Sequence, residues 1–168
     1  MRVHLVGFVG LLTLVGSIAY GFFAHAGSLD EDAFKKIPIG KATKFSNLTA
    51  FDAQAICLLQ PYQDRLSSKD AVAVRVNKYL AANNYSSDEG HFAFVLVGKE
   101  AIEIASFERS QKLDVLAKHE VSTAVDEMLP NGVVPFDCAS GERAVFVRVL
   151  LRARTYVLLG ELHKALKR

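Results

Sequence analysis

Little in this chain announces chemistry. Its 168 residues include five histidines and two cysteines, and none of these stands at HxH, HxxH, HExxH or CxxC spacing, so no metal centre is encoded locally. GxSxG is missing, and no serine has a lysine three residues on, which removes the common serine-nucleophile signatures. Gly40-Lys41-Ala42-Thr43 has the tail of a phosphate loop, but Lys35 stands where the loop's first glycine belongs, so the motif fails. No cofactor and no metal are expected. Fixed-period repeats and low-complexity tracts are absent too, leaving an ordinary globular chain. An excess of one charge is also lacking. With 20 basic against 18 acidic residues, the balance excludes a general nucleic-acid binder.

The most informative absence is charge between Leu5 and Ala24, a run of twenty residues preceded by Arg2 and followed by Asp30, Glu31 and Asp32. Such a run is long enough to cross a bilayer as a helix, and its flanks favour an N-terminus left in the cytoplasm. Ala24-His25-Ala26 before Gly27 places small residues where a signal peptidase reads them, so residues 1–26 are expected to be a signal peptide. An uncleaved anchor over residues 5–24 is the alternative, because the run exceeds a usual signal core. Either way the rest is expected to be exported, periplasmic or extracellular. In an oxidising compartment the even pair Cys57 and Cys138 is most simply a disulfide.

Cleavage after Ala26 leaves 142 residues, the size of one domain. Residues 27–50 read as an acidic, irregular lead-in, with a short peripheral helix over Leu29–Lys36 capped by Ser28 and ended by Pro38. Residues 51–168 read as a single globular domain. Ala53–Gln60 is expected as a strand. Val72, Val76, Tyr79 and Leu80 recur at helical spacing over Lys69–Ala82. His91–Phe107 alternates as a hairpin about Gly98-Lys99. Ser110–Leu129 carries a helical stripe through Leu113, Ala117, Val121, Ala124, Val125 and Met128, expected as a helix either whole or broken near His119, with Pro130-Asn131-Gly132 as its stop. Asp137–Gly141 reads as a turn holding Cys138. Arg143–Leu159 has the strongest β pattern, too long for one strand, so it bends or turns at Leu151–Arg154. The expected fold is α+β: a small antiparallel sheet built from hairpins, with two or three helices packed on one face.

Two groups of residues invite a functional reading. Asp88-Glu89-Gly90-His91 sets two carboxylates beside an imidazole, the only grouping fit for acid/base chemistry and the basis for a small exported hydrolase. The other is charge asymmetry: Gly27–Ser140 holds 12 basic and 16 acidic residues, whereas Gly141–Arg168 holds 7 basic and 2 acidic. Arg148, Arg152, Arg154 and Tyr156 share one strand parity, which suggests a basic face that docks a protein partner or an anionic membrane surface. The leading expectation is therefore a non-enzymatic, exported interaction module. Asn47-Leu48-Thr49 and Asn84-Tyr85-Ser86 also fit the N-glycosylation pattern, relevant only in a eukaryotic secretory pathway.

Overall fold

The computed structural model describes residues 29–163. The export segment, the Ser28 cap and the last five residues lie outside them. Three helices run over Glu31–Lys35 (α1), Ala71–Ala82 (α2) and Thr123–Asp126 (α3). Nine strands follow in chain order: Ala42–Lys44 (β1), Ala55–Leu59 (β2), His91–Val97 (β3), Ile102–Glu108 (β4), Asp114–Val115 (β5), Val133–Pro135 (β6), Cys138–Ser140 (β7), Ala144–Leu151 (β8) and Arg154–Leu162 (β9).

The fold is α+β, but with two sheets rather than one. The first has the order β4-β3-β2-β7 and is antiparallel throughout. The second has the order β1-β8-β9-β5, with β6 also on β9; only the two-residue β5–β9 pair runs parallel. They face each other across a core that includes Ile56, Phe92, Phe94 and Phe107 from one sheet and Phe146, Val157 and Leu159 from the other. Phe94 and Phe146 meet across this gap with centroids 4.9 Å apart, edge to face, the arrangement aromatic quadrupoles favour.

Helices do not share one face. Among the described residues the short α3 sets Val125 against Leu158 on the outer side of the second sheet, whereas α2 lies on the outer side of the first, with Ala73, Val76 and Leu80 on Cys57, Leu59, Val95 and Val97. That second cover explains why Phe92 through Val97 are all buried, apolar on both parities. Asp70 caps α2 by accepting from Ala73 N at 2.9 Å. The short α1, expected to be peripheral, instead drives Phe34 into the core, with centroids 5.1 to 5.6 Å from Phe107, Phe146 and Phe94. Leu29, Ile37 and Phe45 of the expected lead-in are buried in the same cluster, and β1 pairs with β8.

Ser110–Leu129 is not a helix. Leu113 through Ala117 are buried without a break, which no single helix face permits. The segment begins extended beside β9, with Leu116 N donating to Val157 O at 3.0 Å, and coils only as a 3₁₀ turn over Lys118–Glu120 and as α3 over Thr123–Asp126. Asp137–Gly141 likewise contains a strand, β7, where a turn was expected. The long C-terminal β stretch turns at Arg152-Ala153, both with positive φ, 47° and 65°, the two-residue geometry that matches strand twist.

Candidate functional site

Cys57 and Cys138 are direct cross-strand partners on β2 and β7, with Cα atoms 4.0 Å apart, and they form a disulfide. The expected bond is therefore present, in the register of the sheet itself. A cleft of about 430 Å³ opens beside it, lined by Gln63, Ser68, Asp70, Lys118 and Cys138 among others. Several of its polar groups are engaged with their neighbours. Ser68 Oγ donates to Asp70, Asp137 accepts from Lys118 N at 2.9 Å, and the Lys118 ammonium lies over the Phe136 ring.

Of the residues singled out by sequence, the Asp88–His91 loop where β3 begins and Arg154 where β8 has turned into β9 are brought together through Arg109 and Asp114. With its ring as the Nδ1–H tautomer, His91 donates to Asp88 Oδ1 at 2.7 Å, and Gly90 N donates to the same oxygen at 2.8 Å. The bond from His91 is the main cause holding the Asp88 carboxyl below its usual range. Both side chains are open to solvent, 46 % and 71 % exposed. The nearby Glu89 carboxylate holds the Tyr62 phenol above its ordinary value. Tyr62 is 69 % exposed and sits at φ 63°, a strained setting for a bulky residue.

Arg109 links this loop to the arginine hairpin. Its Nη1 donates to Glu89 O at 3.1 Å, and its Nε and Nη2 grip Asp114 at 2.7 and 3.1 Å. Arg154 bonds the second carboxylate oxygen of Asp114, whose side chain is 1 % exposed. Burial alone would raise the Asp114 carboxyl; the hydrogen bonds from Arg109 and Arg154 outweigh it and hold it low. Asp114 is the residue the sequence reading missed, because it lay inside a segment read as helix.

The basic face divides. Because Leu151 pairs with Arg154 and Arg148 with Val157, the turn sends Arg148 to the core side with Phe146, while Arg154 and Tyr156 lie on the other face with Leu158. Arg148 Nη1 donates to Lys35 O and Ile37 O at 2.9 and 3.0 Å, closing the end of α1, and its buried Nε has no partner. Arg152 alone stands free at the tip of the turn, exposed. Among the described residues no three His, Cys, Asp or Glu side chains gather as a metal site would require, and no helix is long and apolar enough to cross a membrane. No family model matches the chain, and neither a curated protein nor a solved structure shows significant similarity to it.

Proposed function

We propose that the chain is an exported, non-enzymatic interaction module that grips a protein partner with the loop end of its sandwich. The observation that carries this reading is the buried Asp114, which ties Arg109 and Arg154, and through Arg109 the Glu89 loop, into one fixed platform. A rigid base with an exposed tyrosine and an exposed arginine on it, Tyr62 and Arg152, has the composition of binding hot spots. Asp64, Asp88 and Glu89 at the same end oppose an anionic membrane and favour a partner of mixed charge. The disulfide is compatible with an oxidising compartment, in line with export.

The test is crosslinking in the native envelope with a photoreactive residue at Tyr62, against Arg152→Glu in the same background. A protein adduct that fades in the Arg152→Glu chain, with melting temperature unchanged, supports the reading. Adducts of equal yield in both chains, or adducts to lipid alone, would overturn it.

A second reading rests on the 2.7 Å contact between His91 and Asp88, in which the carboxylate orients the ring and leaves Nε2 to act as a base in a hydrolase. The openness of both side chains works against it, since water is not excluded there. Ester hydrolysis abolished by His91→Ala and by Asp88→Ala would favour the hydrolase.

A further inference from the structure

Among the described residues, no strand pairs with the outer edge of β4. Natural proteins guard such edges with brevity, proline, lysine or a bulge. β4 has none of these, and its charges are Glu103 and Glu108 alone: it is seven residues long, Ile-Glu-Ile-Ala-Ser-Phe-Glu, and pairs with β3 residue for residue without interruption. Hydrogen-bond parity identifies which of its backbone groups face away from β3. Arg109 N donates to Gly90 O at 2.7 Å and Ala101 O accepts from Gly98 N at 2.9 Å, so odd-numbered residues turn their backbone groups toward β3. Ile102, Ile104, Ser106 and Glu108 turn theirs outward.

We propose that β4 pairs antiparallel with β4 of a second copy of this chain about a two-fold axis at Ala105, joining two four-stranded sheets into one of eight strands. In this register Ile102 meets Glu108, Ile104 meets Ser106, Glu103 meets Phe107, and Ala105 meets its own copy. All four outward-facing residues then fall in hydrogen-bonded pairs, and neither glutamate opposes a like charge. Moving the axis to Ile104 sets Glu108 against Glu100, a repulsive pair, and moving it to Ser106 carries Ile102 past the end of the partner strand. The charge pattern and length of β4 therefore select one register with itself. Ile102 and Ile104, half-buried on the α2 side, would complete their burial in the seam. This surface is separate from the loop end, so either proposal can fail alone.

Sedimentation equilibrium of the exported chain should find a dimer. Ser106→Pro removes an outward N–H without touching the bonds to β3, and should weaken association by about tenfold or more. Ala105→Cys places two thiols at a directly opposed, non-hydrogen-bonded pair, where Cα atoms approach to about 4.5 Å, so mild oxidation should yield a covalent dimer. Glu103→Cys, facing Phe107 of the other copy, should yield far less. A chain that stays monomeric at its highest soluble concentration overturns the proposal, as does a dimer that survives Ser106→Pro. Should that variant fail to fold, Ala105→Cys decides alone, and the absence of crosslinking overturns the proposal.

Discussion

Asp114 is a carboxylate taken out of water, and its worth depends on both arginines staying in place. Removing its charge leaves Arg109 and Arg154 half-buried against a neutral amide, the circumstance in which breaking a buried pair costs about 3 to 5 kcal/mol. Asp114→Asn should therefore lower stability by roughly that amount at pH 7. Because the folded carboxyl is held low, its contribution is complete above the unfolded value of about 3.9 and is lost as pH falls through the folded one. The gap between wild type and Asp114→Asn should then narrow in acid. Urea denaturation of both chains at neutral and at strongly acidic pH measures it; a gap of constant size would mean that packing, not charge, is what the mutation removes. Glu161 adds to the acid sensitivity of the wild type in the same sense, since the bonds from Arg143 and Ser140 N outweigh its burial. None of this was legible in the sequence, where nothing marks partners 5 and 40 positions from Asp114.

At the scale of elements, local signals were read well where local forces decide. α2 and the β3–β4 hairpin follow from periodicity, and the turn between β8 and β9 lies where excess strand length demanded one. Failures arose where a distant strand overrode the local pattern. The stripe through Leu113 and Ala117 has helical spacing, yet β9 captures that segment's backbone. Parity misled in a related way: a two-residue turn reverses the chain and changes which residues share a face, so Arg148 and Arg154 part company. The turn itself carries strain, because Arg152 and Ala153 both adopt the left-handed region. Asn at 152 and Gly at 153 suit that geometry, so Arg152→Asn with Ala153→Gly should stabilise the fold by about 1 to 2 kcal/mol, read as a shift in denaturation midpoint. A destabilised variant would mean that Arg152 makes contacts worth more than the relieved strain.

For the molecule as a whole, the Cys57–Cys138 bond closes a loop of 81 positions between strands that are already neighbours. In the chain-entropy account that constraint is worth about 4 to 5 kcal/mol, comparable with the net stability of a small domain. Reduction, or Cys57→Ser with Cys138→Ser, should lower the melting temperature sharply; a chain that melts alike with and without reductant would place the stabilising weight on the aromatic core instead. That core has a consequence in time. Phe34 lies close behind the segment that would lead the chain through a membrane, yet Arg148, which closes the end of its helix, follows Lys35 by 113 positions. If the polypeptide crosses in order from its N-terminus, the first helix to emerge must wait for nearly the entire remainder before its pocket exists. Until then its phenylalanine stays bare, within reach of proteases and chaperones, and the last hairpin to arrive is what releases the chain from that exposure.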